Sequence, residues 1–341
     1  MRSSSFTASP AKRIVREIWN TPFLEYIHNK YGVKYRYFGL PGPNIEDVRL
    51  WKNMIEEVVA FELPPLVVDE RSDIVQLRAN LMKLKILHVV YCGSFEDVVI
   101  RRKDMEGQEY KQDRLITLYN LDFCDEISSY VATHELGQKR LRYEAIRVIL
   151  SDQKQCYLSR NDGQPCYFII LLTVRNQIEA ERVIEYMSRD KPLKETHSYF
   201  LSCSKKPGIP TSGSLMGTHA WAIKALLYDF LVTDFKGHNI DSLLFPILKY
   251  RGTPIVKPGE PRIESPMFHW MLLCKFGSDE NPSPRVYPQE FLKEVNSLSV
   301  VGSRISISIE PEEDLNNAQK IHPVEWFKQY ESAFVSGGRL I

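Results

Sequence analysis

The residues best placed to do chemistry stand at four points where an apolar run gives way to a polar turn. In FGLPGPN, Phe38 to Asn44, an apolar run ends in Gly39, Leu40, Pro41 and Gly42 ahead of a helix-like stretch. Glycines at such a crossing let the backbone approach a ligand, although glycine and proline together also make a rigid turn. VVAFE ends in Glu62, a carboxylate able to accept from the ribose of any adenosine ligand or simply to be solvated. SFEDV places Glu96 and Asp97 after a serine, where the first turn of a helix favours acids with or without a ligand. NLDFC brings Asn120, Asp122 and Phe123 out of an apolar run, and packing alone does not ask for Asn-x-Asp there.

These turns need a scaffold that gathers them. KYRYFGL, VVAFE, ILHVVYCG, RLITLYNLDFCDEIS and CYFIILLTV read as strands, and helical stretches separate them. The first such helix starts near Asn44 or Ile45 with Asn44 as a cap, and the others are DIVQLRANLMKLK, SFEDVVIRRKD, GQKRLRYEAIRVILSDQ and NQIEAERVIEYMSRD. Strands apolar on both faces and alternating with helices predict a parallel sheet covered on both sides, with ligands beyond the carboxyl ends of the strands. Ahead of them, AKRIVREIWNTPFLEYIHNKYG predicts one broken helix or two short ones, with the interruption near Thr21 and Pro22. After a Pro/Gly/Ser-rich loop at 202–214 and an apolar helix, DSLLFPILKYRG and SPMFHWMLLCKFG predict an antiparallel strand pair at the sheet edge. Beyond Gly277 come a proline-rich linker, a helix at QEFLKEVNSL and a last helix around PVEWFKQYES. The organisation read from this is a flexible leader at 1–11, one domain at 12–277 and a C-terminal extension at 278–341.

Composition narrows the functional classes. With 44 basic and 43 acidic residues and a formal charge of +1, no global field concentrates nucleic acid, so a basic footprint has to be local. Six widely spaced cysteines without a CxxC pair read as reduced thiols in a cytoplasmic protein. No run reaches the roughly 18 to 20 apolar residues of a membrane span. The histidines show neither HxxxH nor HExxH spacing, so no metal site is expected, and no Walker loop or GxSxG elbow is present.

In element order, the chain from about Lys12 to Gly277 resembles the class I S-adenosylmethionine-dependent methyltransferases. The resemblance implies a three-layer, Rossmann-like α/β fold with about seven mostly parallel strands and an antiparallel edge strand. It implies S-adenosylmethionine as cofactor, with Gly39, Pro41 and Gly42 at the methionine part, Glu62 on the ribose, and Glu96 and Asp97 near the adenine. It also implies a catalytic turn of Asn120, Asp122 and Phe123, which orient an amino group and stack on a planar acceptor, in a nucleic acid or elsewhere. The family's glycine triplet and its Asp/Asn-Pro-Pro-aromatic turn are both incomplete here. The competing expectation is therefore an inactive Rossmann-like module that acts through nucleotide binding, or through a protein partner held by the C-terminal extension.

Overall fold

The computed structural model describes residues 10–63, 73–123, 130–132, 139–160, 162, 164–175, 235, 237–245, 248–251, 266–276 and 322–335. Helix α1 (Pro10–Ile14) runs through a π-helical segment (Val15–Asn20) into α2 (Thr21–Tyr31). Then follow β1 (Tyr35–Gly39), α3 (Glu46–Leu50), β2 (Ile55–Glu62), α4 (Asp73–Leu84), β3 (Leu87–Cys92), α5 (Phe95–Arg101) and β4 (Leu118–Asp122). A short hairpin of β5 (Tyr130–Ala132) and β6 (Lys139–Leu141) leads into α6 (Arg142–Ser159) and β7 (Cys166–Arg175). The remaining described elements are β8 (Ile240–Leu244), β9 (Leu248–Arg251), β10 (Pro266–Phe276) and α7 (Pro323–Phe334).

The eight-stranded sheet has the order β3-β2-β1-β4-β7-β10-β8, and β9 also pairs with β10. Strands β3, β2, β1, β4 and β7 are mutually parallel, as their apolar runs predict. The antiparallel strand lies one position in from the edge. β10 runs against β7 on one side and against both β8 and β9 on the other, so the last two share one edge. The order reverses at β1, which pairs with β2 on one side and β4 on the other.

Alternation along the strands divides the core into two layers. Tyr35, Tyr37, Val58, Ala60, Leu118, Ile169 and Leu171 pack with α2, α3, α4 and α7 on one face. Phe38, Phe61, Tyr119, Phe168 and Ile170 pack with α5 and α6 on the other.

The N-terminal helix is continuous, and its interruption takes the form of a π turn. Pro22 has no N–H, and its ring crowds the carbonyl four residues earlier, so the preceding turn widens. The N–H and Oγ1 of Thr21 both donate to the Arg16 carbonyl, Oγ1 at 2.7 Å, and Trp51 Nε1 donates to Thr21 Oγ1 at 2.8 Å. Ser94 caps α5 as expected, accepting from Asp97 N at 3.1 Å. Asn44 does not cap α3: its Oδ1 accepts from Gln76 Nε2 at 2.9 Å, and Ile45, in the left-handed region at φ 47°, precedes the helix. The helices expected at 176–190 and 289–298 and the loop at 202–214 lie outside the described residues.

Helix α7 is built into the core. Phe327 is fully buried, with ring centroids 5.4 Å from Phe23 and 6.1 Å from Phe245. Glu331 accepts from Lys30 Nζ at 2.7 Å, from Tyr26 OH at 2.9 Å and from Tyr31 OH. Burial alone would raise the Glu331 carboxyl, but these donors hold it below its ordinary value.

Phe327→Ala should therefore cost about 3–5 kcal/mol in urea unfolding, the range for deleting a buried ring. Gly39 has a different constraint: a Cβ there would meet the Asn120 carbonyl oxygen far inside van der Waals contact. Gly39→Ala should force β1 and β4 apart and cost about 1–3 kcal/mol in the same measurement.

Candidate functional site

The register of the central strands aligns polar residues across the carboxyl edge. Gly39 of β1 is opposite Asn120 of β4, Asp122 is opposite Thr173 of β7, and Thr173 is opposite His269 of β10. Asn120, Asp122, Thr173 and His269 all fall on the face covered by the N-terminal helix, in phase with Leu118, Leu171 and Met271. Polar groups at this depth need partners, because an unpaired one forfeits its hydration without replacement.

The N-terminal helix supplies those partners at four-residue spacing. Lys12 Nζ reaches both oxygens of Asp122, at 3.0 and 2.8 Å. Arg16 pairs with Glu46 Oε2 at 2.6 Å through Nη1 and with Asp47 Oδ1 through Nε. Asn20 Oδ1 lies 2.8 Å from His269 Nε2, and His269 Nδ1 lies 2.9 Å from Thr173 Oγ1. An amide oxygen only accepts, so Nε2 carries the proton and Nδ1 accepts from the Thr173 hydroxyl. Asn120 Nδ2 donates to Tyr37 OH at 3.1 Å and to Asp47 Oδ2 at 2.6 Å.

Burial sets the charges here. It pushes the Asp47 carboxyl up, while Arg16 beside it pulls the other way. It lowers the His269 imidazole to about 4, so the ring is neutral at pH 7. Together with Val15 and Trp51 these residues leave a cavity of about 20 Å³, room for a single water-sized occupant.

The residues expected from sequence divide into two groups. Gly39, Glu62, Asn120 and Asp122 share one face, by alternation with Tyr37, Ala60 and Leu118. Pro41 and Gly42 follow in the turn after β1, where Gly42 takes φ 63° and the Pro43 carbonyl accepts from Asn80 Nδ2 of α4 at 2.8 Å. Glu62 accepts from its neighbour Leu63 N at 3.0 Å, and no described side chain hydrogen-bonds its carboxylate. Burial raises that carboxyl to about 7, against the Leu63 N–H.

Glu96, Asp97 and Phe123 lie with the opposite layer. Glu96 is buried and accepts from Arg142 Nε of α6 at 2.6 Å, and the Arg142 guanidinium stands 4.3 Å from the centre of the buried Phe123 ring. Asp97 accepts from Arg101 at 3.2 Å, four residues on in its own helix.

Lys12, Arg16, Asn20, Asp47, Thr173 and His269 were not among the sequence candidates. The one signal was the Lys12-Arg16-Asn20 spacing, which puts three polar side chains on one side of a helix, each just after an apolar residue, Ala11, Val15 and Trp19. Among the described residues no group of three His, Cys, Asp or Glu side chains could hold a metal ion, no helix is long and apolar enough to cross a membrane, and Cys92, Cys156, Cys166 and Cys274 are free thiols.

With β1 flanked by β2 and β4, the polar row sits where a doubly wound sheet reverses its strand order, the usual ligand position in such folds. The fold is Rossmann-like, a doubly wound α/β sheet with one antiparallel strand.

No protein-family model and no curated protein matches the sequence. Similar solved structures include the O-methyltransferase from Bacillus cereus in complex with SAH, at 10% identity and a TM-score of 0.32 over 77% of this chain and 86% of that one. An rRNA methylase from Streptococcus thermophilus matches at 9% identity and a TM-score of 0.30 over 74% and 93%. Precorrin 8W decarboxylase from Methanobacterium thermoautotrophicum matches at 10% and 0.29 over 80% and 96%. Overlaps at these TM-scores carry no argument, and the fold assignment rests on this chain's own strand order.

The Glu62 carboxyl gives a pH signature. Between about 4.5 and about 7 it is protonated in the folded chain and ionised in the unfolded one. Its contribution to stability is thus complete below about 4.5 and is lost as pH rises through about 7. Urea midpoints of the wild type and Glu62→Gln, compared at about pH 5 and about pH 8, should show this decline in the wild type only.

Proposed function

We propose that this chain is a methyltransferase-type protein that binds S-adenosylmethionine at the Gly39–Asn44 turn and Glu62 and presents an amino group of its acceptor at Asn120 and Asp122. The observation that carries the reading is the meeting of Gly39 and Asn120 at the reversal of strand order, with Glu62 on the same face and its carboxylate bonded, among the described residues, to its own neighbour's N–H alone.

Glu62 suits two vicinal hydroxyl donors, and the positive φ of Gly42 brings backbone to the mouth of the site. The cofactor would supply an electrophilic methyl group; the chain's task is to hold an acceptor nitrogen in line and free of water, where orientation lowers most of the barrier. Asn120, fixed by Tyr37 and Asp47, and Asp122 are the groups for that task. The acceptor can be the amino group of a base, flipped out if it comes from a duplex, or of another planar molecule. Under this arrangement Phe123 stacks on an acceptor only after Arg142 leaves its face.

A second reading has an observation of its own. Asn120 and Asp122 are both engaged by the chain, and the cavity between them is about 20 Å³. That favours an inactive Rossmann-like module, whose Glu62 would serve the ribose of another adenosine nucleotide or whose C-terminal extension would engage a protein partner.

Calorimetry with S-adenosylhomocysteine separates the two: saturable binding is expected, and silence at millimolar ligand leaves the inactive module standing. Glu62→Ala should lose about 1.5–3 kcal/mol of cofactor binding, the range for hydrogen bonds to a charged group. Because the ribose contact needs the carboxylate, wild-type affinity should also weaken as pH falls below about 7. Asp122→Asn should spare cofactor binding and impair turnover.

A further inference from the structure

The two cations at the carboxyl edge, Lys12 and Arg16, are anchored differently. Arg16 sits one turn before Trp19, whose ring is buried in the core, and its partner Asp47 is buried as well. Moving Arg16 means unpacking that helix. Lys12 belongs to α1, Pro10–Ile14, in which Lys12, Arg13 and Ile14 are not buried, so less packing holds it than holds Arg16. Lys12 nevertheless places its ammonium against both oxygens of Asp122, at the last residue of β4 and on the wall of the cavity.

Charge then restricts what can replace it. With Lys12 withdrawn, Arg16 is the cation left to Asp122, Asp47 and Glu46 among the described residues, and His269 beneath them is neutral because burial lowers its imidazole. A half-buried carboxylate left without a cation carries a large desolvation cost. The neutral amino group of a base does not restore the lost charge, whereas an alkylammonium group does.

We infer that Asp122 is a recognition site for a primary alkylammonium group, the side chain of a lysine in a partner polypeptide, and that Lys12 is an internal stand-in which withdraws when that group enters. The inference rests on the reading of Asp122 as the acceptor-facing residue and narrows the acceptor from a planar molecule's amino group to an alkylamine, which the bound ammonium becomes on giving a proton to the Asp122 carboxylate. Competition from Lys12 lowers the apparent affinity for the incoming lysine by the fraction of chains in which Asp122 is free.

The test needs no methyl donor, so a failure of cofactor binding leaves it intact. An acetylated, amidated peptide with one lysine among uncharged residues is titrated by calorimetry into wild type, Lys12→Met and Lys12→Met/Asp122→Asn, beside the same peptide with norleucine. Lys12→Met should bind the lysine peptide about tenfold more tightly than wild type, the double variant should lose that gain, and the norleucine peptide should not bind. Equal affinity of wild type and Lys12→Met, or binding that survives Asp122→Asn, would reduce Lys12–Asp122 to a structural ion pair.

Should Lys12→Met fail to fold, the wild type gives its own answer. At saturating lysine peptide, acetylation of Lys12 by an amine-reactive ester should rise severalfold by mass spectrometry. Unchanged labelling at saturation, or no saturable binding at all, overturns the inference.

Discussion

Carboxylates held at the buried end of a parallel sheet have to be compensated, and here the compensation comes from one helix. Asp47 and Asp122 stand on the same face of the sheet end, and their cations, Arg16 and Lys12, are four residues apart near the N-terminus. Asn20, four residues further, ties the same helix to His269 of β10. The helix is fixed at its other side by Trp19, Phe23 and Leu24 in the core, so packing and charge fix it in one position.

The helix can meet this demand because of its own chemistry. Pro22 forces the turn before it to widen, and the extra residue changes which side chains follow one another down the axis. Arg16 and Asn20 both lie in the widened stretch and both face the sheet edge. The C-terminal helix α7 braces α2 from behind through Phe327 and Glu331, so residues more than 300 positions apart hold the same element. Two ends of the chain thus converge on the layer that carries the polar row.

The edge has two chemically distinct halves. Around Asp122 the polar side chains pair within the chain, Asp122 with Lys12, Asn120 with Asp47 and His269 with Asn20 and Thr173, and the space between is water-sized. At Glu62 the carboxylate keeps lone pairs that no described side chain satisfies, and burial raises its pKa into the neutral range. The first half resembles a lock already holding a key, and the second a socket. An adenosine ligand and a cationic acceptor differ in the same sense, one needing acceptors for its hydroxyls and the other a carboxylate to exchange.

The alternation of apolar strands and helices, read from sequence, determined the class of fold and the parallel strands β1, β2, β3, β4 and β7, because a strand buried on both faces has to be apolar throughout, while of the antiparallel pair only the tertiary structure decided that β10 lies inside β8 and β9. It also placed Gly39, Glu62 and Asn120 near the strand ends. Which of these residues meet was decided only by register and face. Asn120 and Asp122 point to one layer and Phe123 to the other, since neighbouring residues of a strand face opposite ways. Gly39 is a glycine because β4 passes so close, a constraint set by a residue 81 positions away that local pattern does not carry. Lys12 on Asp122, across 110 residues, and Asn20 on His269, across 249, are pairings of buried charge and hydrogen-bonding capacity. Such pairings depend on which groups lose water together, and that is settled only when the helix docks on the sheet.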